Sequence, residues 1–173
     1  MDVLAHSLWT NVMYKVIKPT RSDKKITSWG VFFGVFPDIV AFTPIWLYIL
    51  YGFIFRRSTF IFAKPEDENL IPLSNLTHTL YSFSHSLVIW AVIFAIVWLV
   101  IQKMPWVLLG WALHILIDIF SHSNQFYPTP FLFPISKFHI NGYAWSEPIF
   151  MVVNYGALVL LYSFFIPRIK RQR

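Results

Sequence analysis

LVIWAVIFAIVWLVI, residues 87–101, holds no charge, hydroxyl or amide in fifteen positions. A helix that is apolar on every side has no face for water, so protein or hydrocarbon must surround it. The composition of the chain decides between them. Of 173 residues 57% are hydrophobic and only 13% charged, about half the charged share of an ordinary soluble domain. The bilayer is the solvent that such a chain requires. At about 20 residues per crossing, its length leaves room for four or five spans with short connections and excludes a large soluble domain. The expected fold is all-α, a polytopic membrane helical bundle of about five helices forming one integral-membrane domain over residues 1–173.

Working outward, the third helix is expected from Leu76 to Ile101, with a polar first half carrying Thr77, His78, Thr79, Ser82, Ser84, His85 and Ser86. Only its second half is expected to meet lipid. Before it, Trp29 to Phe55 forms a second apolar run that Pro37, Asp38 and Pro44 are expected to bend or interrupt. Val3, Leu4, Leu8, Trp9, Val12, Met13, Val16 and Ile17 recur at helical spacing, leaving Asp2, His6 and Thr10 on another face. This first helix is short and polar for a span, which admits a re-entrant placement. It lacks the basic start and small-residue cleavage site of a secretory signal and is expected to be retained. A fourth helix is expected from Trp106 to His122, a loop from Ser123 to Pro148, and a fifth helix from Ile149 to Ile166. Arg56 to Ser74, with Glu66, Asp67 and Glu68 between prolines, is expected as a solvated loop.

The net charge of +6 reflects topology and not nucleic-acid binding, because the basic residues flank apolar runs. If helices alternate and the Arg168–Arg173 tail is cytoplasmic, Lys15, Lys18, Arg21, Lys24, Lys25, Lys103 and the tail share that side. Arg56, Arg57, Lys64 and Lys137 fall on the other. This bias predicts an integral membrane protein with its C-terminus cytoplasmic and both long loops outside. With no cysteine in the chain, any metal must be held by histidines and carboxylates.

The fourth helix supplies such residues. His114, Asp118 and His122 stand at i, i+4 and i+8, within an arc of about 80° at 3.6 residues per turn. One face can therefore ligate a divalent ion, or two neighbouring ions with Asp118 between them, or form a hydrogen-bonded polar seam between helices. Unpartnered ionisable groups in an apolar helix are costly, which favours a functional role. His85 and His6 fall near the same outer ends of their helices. Asp38, in Gly34-Val-Phe-Pro37-Asp38, either presents a carboxylate inward or caps a helix from Ile39 onward. In the last loop, Glu147 is a candidate general base, beside His139 and the anchoring Trp145. A His-Glu-x-x-His helix, a Gly-x-Ser-x-Gly elbow and a Gly-rich phosphate loop are all missing.

Four motifs in order, His6, Gly34 to Asp38, Ser84-His85-Ser86 and Gly110-x-x-x-His114-x-x-x-Asp118, resemble the YdjM-like family of predicted membrane-bound metal-dependent hydrolases. That family is itself thought similar to zinc-dependent phospholipases C and single-strand nucleases. The resemblance implies hydrolysis of a lipid or lipid-linked phosphoester near the outer membrane face. The expected metal ligands, most plausibly for zinc, are His6, Asp38, His85, His114 and Asp118. His122 or Glu147 is expected to shuttle the proton. The chain departs from the family pattern where a His-Arg pair commonly precedes the Thr-His-Ser motif: Leu80 and Tyr81 stand there, and Lys137 is the obvious replacement charge. The alternatives are a divalent metal transporter and a metal-binding membrane protein without catalysis.

Overall fold

Lys24–Phe55 is a single helix, α2, of 32 residues, about 48 Å long at 1.5 Å per residue. The computed structural model describes residues 1–17, 24–55 and 73–166, and the other helices gather around α2. The expected interruption does not occur. Pro37 and Pro44 lie inside α2, each freeing one carbonyl on the preceding turn without ending the helix. Asp38 is consequently an interior helical residue and caps nothing. Among the described helices, α2 alone is long and apolar enough to cross a membrane by itself.

α1 spans Val3–Ile17. Its first turn is capped by Asp2, whose Oδ1 accepts from the Ala5 amide at 2.9 Å. Its buried face, Ala5, His6, Thr10, Val12 and Tyr14, includes His6 and Thr10 of the predicted polar stripe, while Asp2 is half-buried just before the helix.

The expected third helix is two. α3 covers Ser74–Ser84 and α4 covers Leu87–Ile101, bent by 55° as a broken span or a re-entrant loop. The cause is Ser86, whose Oγ accepts from the Val88 and Ile89 amides at 3.1 Å each and so starts a new helix. α4 has no buried residue, as its composition requires if hydrocarbon covers it.

A 3-10 turn at Trp106–Leu108 leads into α5, Leu109–Ser121. His122, expected inside this helix, is extended and follows its end. α6, Pro148–Leu160, continues into a π turn at Leu161–Phe165. It is tied to α1 by Trp9 Nε1 donating to Asn154 Oδ1 at 2.7 Å and by the Tyr155 hydroxyl donating to Asp2 Oδ1 at 2.8 Å. Val12, Leu158 and Ile166 pack beneath these bonds. The described residues thus form six α-helices and no strand, one helix more than expected because Ser86 divides the third.

α2 and α5 cross in backbone contact. A Cβ at Gly110 would collide with the carbonyl of Gly30 and meet the amide of Gly34. Tyr14 locks the crossing from α1: its hydroxyl accepts from the Gly110 amide at 3.0 Å and lies 2.5 Å from the Trp106 carbonyl. Close approach here brings the polar positions of α2 and α5 within reach of each other.

Candidate metal centre

Asp38 projects from the middle of α2, His85 from the α3–α4 break, His114 and Asp118 from α5, His6 from α1 and His122 from the residue after α5. Five elements therefore contribute to one place. His6, His85, His114 and Asp118 are fully buried, and Asp38 and His122 nearly so. One ligand atom from each of Asp38, His85, His114 and Asp118 lies within 4.8 Å of all the others, a group that can hold a metal ion.

The hydrogen bonds behind the imidazoles fix their chemistry. His114 Nδ1 is 2.8 Å from the Gly34 carbonyl, His85 Nδ1 is 3.1 Å from the Tyr81 carbonyl, and His122 Nδ1 is 2.8 Å from the Tyr127 carbonyl. A carbonyl only accepts, so each Nδ1 carries the proton and each Nε2 of the neutral ring presents a lone pair. These lone pairs converge. His85 Nε2 and His114 Nε2 are 3.0 Å apart, and they lie 3.4 and 3.1 Å from Asp118 Oδ2 and 3.6 and 3.7 Å from Asp38 Oδ1. Oxygen and nitrogen lone pairs facing one another without a proton between them repel; a cation among them reverses the sign.

The size of the set also fits. Four donors at 2.0–2.2 Å from a tetrahedral zinc stand roughly 3.3–3.6 Å apart; the five separations that involve an imidazole run from 3.0 to 3.7 Å, and the whole set lies within 4.8 Å. Asp118 Oδ2 has no hydrogen-bond partner although it is buried, and a metal ion there would satisfy it. Backbone carbonyls behind metal-ligating histidines are the usual second layer of such sites.

The other carboxylate oxygen of Asp118 has its own neighbours. Oδ1 is 2.9 Å from His6 Nε2, 3.5 Å from His122 Nε2 and 2.5 Å from the α-amino nitrogen of Met1. That nitrogen is also 2.8 Å from His122 Nε2. No sequence pattern signals this contact, and it is absent from the expected site. Tyr81, noted in the sequence only as a departure, is buried; its ring stacks on His85 at 3.7 Å and its hydroxyl lies 2.9 Å from Thr129 Oγ1 and 3.3 Å from His122 Nδ1. An aromatic thus braces two histidines of the cluster.

The remaining predicted residues fall elsewhere. Glu147 is exposed at the start of α6 and makes no polar contact with the buried cluster among the described residues. His139 and Lys137 are exposed in the loop, and His78 stacks on Tyr127 at 4.6 Å. The loop nevertheless closes the end of α5: the amides of Gly142, Tyr143 and Trp145 donate to the carbonyls of His122, Phe120 and Ser121 at 2.8–3.0 Å. These bonds satisfy carbonyls that the helix end leaves free, and Gly142 is required because a Cβ there would strike that backbone.

No curated relative and no solved structure matches the chain. The family model of the YdjM inner membrane protein matches residues 1–172, and the chain belongs to that membrane protein family.

Proposed function

We propose that the protein is a membrane-embedded, metal-dependent hydrolase acting on a lipid or lipid-linked phosphoester, with zinc as its metal. The supporting observation is the buried set Asp38, His85, His114 and Asp118, which brings one ligand atom from each residue within 4.8 Å of all the others. Neutral imidazoles with carboxylates suit zinc. A bound divalent ion would supply Lewis acidity, lowering the pKa of water to about 7 and polarising a phosphoryl oxygen. Water attacks phosphorus as its proton passes to the Nε2 lone pair of His122, the ester P–O bond breaks, and His122 returns that proton to the leaving alkoxide. The carbonyls of Gly34 and Tyr81 keep His114 and His85 from rotating away.

Five crossings accommodate this site, with α3 and α4 counted as one broken span. The ligands then come from the start of α1, the middle of α2, the α3–α4 break and the second half of α5. α4, apolar throughout and without a buried residue, offers no ion a path to the other side, which favours hydrolysis over transport. The sidedness is tested with single cysteines placed in this cysteine-free chain at Asn69, Asn124 and Gln172. An impermeant thiol reagent added to intact cells is expected to label the first two and spare the third; labelling of the tail alone inverts the topology.

The activity is tested with zinc-loaded protein in mixed vesicles of phospholipids and lipid-linked phosphates, following released headgroup or phosphate by mass spectrometry. Turnover above the Asp118→Ala background is expected. A broad panel without turnover, combined with zinc movement across the vesicle membrane, replaces the hydrolase by a transporter.

A further inference from the structure

The loop between α5 and α6 has a tip, residues 134–139, that the buried cluster does not use. Two large apolar side chains stand out from it, Ile135 at 79% and Phe138 at 58% exposure, with the exposed cation Lys137 between them. We propose that this tip enters the membrane interface beside the start of α4 and binds an anionic phospholipid there, with Ile135 and Phe138 among the upper acyl chains and Lys137 on the headgroup phosphate. The site is separate from the histidine and aspartate cluster and depends neither on metal nor on hydrolysis.

The tip is an ordered structure. The Ser136 amide donates to the Leu132 carbonyl at 3.1 Å, Ser136 Oγ accepts from the Phe138 amide at 3.0 Å, and His139 Nδ1 donates to the Lys137 carbonyl at 3.1 Å. The residues just before it are fastened to the α3–α4 break: the Leu87 amide donates to the Phe131 carbonyl at 2.9 Å, and Ser86 Oγ donates to the Phe133 carbonyl. On the two sides of the tip, Phe131 and Ile140 pack against the same buried cluster as Leu87 and Trp90 of α4. A loop bathed in water gains nothing from turns that leave isoleucine and phenylalanine outside, whereas a preordered loop enters an apolar phase at a lower entropic cost.

The place of the tip beside α4 identifies its occupant. α4 has 15 residues, about 22 Å at 1.5 Å per residue, against a hydrocarbon core of about 30 Å. α3 does not prolong it, being bent away by 55°, so about 8 Å of apolar surface is lacking beyond the Ser86 cap. The tip sits at that end of α4 and offers apolar side chains beside a cation. Hydrocarbon next to phosphate is the order in which a bilayer presents its own groups, and a lysine at that level attracts anionic headgroups. Trp145, expected to anchor the loop, is half-buried with its amide bonded to the Ser121 carbonyl at 2.9 Å, so the anchor falls to the tip.

The experiment uses purified full-length protein in vesicles. Single cysteines at Ile135, Phe138, Gln125 and Ser146 of this cysteine-free chain carry an environment-sensitive fluorophore, and lipids with a nitroxide near the headgroup act as quenchers. Labels at Ile135 and Phe138 are expected to emit at shorter wavelength and to be quenched severalfold more than those at Gln125 and Ser146, which are exposed in the same loop. With a little nitroxide lipid in phosphatidylcholine vesicles, quenching at Ile135 by the phosphatidylglycerol form is expected to exceed that by the phosphatidylcholine form about fivefold, and Lys137→Gln to remove the excess. The Ile135 label keeps the test valid if loss of the Phe138 ring disturbs Phe131, on which it packs edge-on at 5.9 Å. Aqueous emission at both tip positions overturns the proposal. Short-wavelength emission without lipid quenching also overturns it, because a second copy or another protein then covers the tip, as does a phosphatidylglycerol preference that is absent or survives Lys137→Gln. No arm reads lipid turnover, so failure of the hydrolase reading and failure of this one are distinguishable.

Discussion

Asp118→Asn is expected to abolish tight metal binding while leaving the fold intact. Asp118 faces four imidazole nitrogens through two oxygens, and the amide keeps its shape but removes the charge that a divalent ion needs. Loss of an outer-layer partner alone weakens metal binding by about 10–100-fold, so loss of the shared ligand is expected to exceed about 100-fold. The apoprotein should tolerate the change. With the amide nitrogen in place of Oδ2, its two hydrogens can be donated to the Nε2 lone pairs of His85 and His114, while the amide oxygen still accepts from the Met1 amine. An unfavourable cluster of acceptors thereby becomes a satisfied network. In chelator, the melting temperature of the variant should equal or exceed that of the wild type, and after reloading its metal content should stay below a tenth of the wild-type value. Wild-type metal content in the variant would contradict the assignment of Asp118.

Gly110→Ala is expected to destabilise the protein by about 2 kcal/mol, the range for overpacking a tight contact, although alanine favours a helix over glycine by about 1 kcal/mol. The contact decides the sign. The added methyl group meets the Gly30 carbonyl, which is backbone and cannot rotate aside, so α5 must shift and take His114 and Asp118 away from Asp38. Gly156→Ala in α6 is the control, since a Cβ there meets nothing within 4 Å. Its melting temperature should be unchanged or slightly raised. Equal behaviour of the two variants in denaturation would remove the α2–α5 crossing as the support of the site.

Apolar periodicity located the helices of this chain because burial in hydrocarbon leaves no choice of composition, and α4 could be read from fifteen letters. The break before it was written as Ser86, a polar residue in an already polar stretch, and a capping hydroxyl there is indistinguishable from an ordinary one until the bend is seen. The prolines misled in the opposite direction. Pro37 and Pro44 were expected to bend or break α2, but the packed helices around them tolerate two missing amide donors. The His114–Asp118 pair was legible from its i, i+4 spacing, and His6, His85 and Asp38 do join it. Glu147 was favoured as a carboxylate at an apolar boundary, yet an exposed helix start provides water, which sufficiently explains the residue. Tyr81 and the Met1 amine could not be found by spacing, because they reach the site through tertiary contact alone.

The acceptors behind His85, His114 and His122 are all main-chain carbonyls. A protein that orients its ligands with carboxylate side chains can lose each one to a single codon change, and every such carboxylate adds a charge to be kept out of hydrocarbon. Here the orienting atom survives any substitution at Gly34, Tyr81 or Tyr127 that preserves the local backbone. The choice of tautomer is therefore inherited with the path of the chain, and side-chain drift around the centre can alter its packing without reversing its imidazoles.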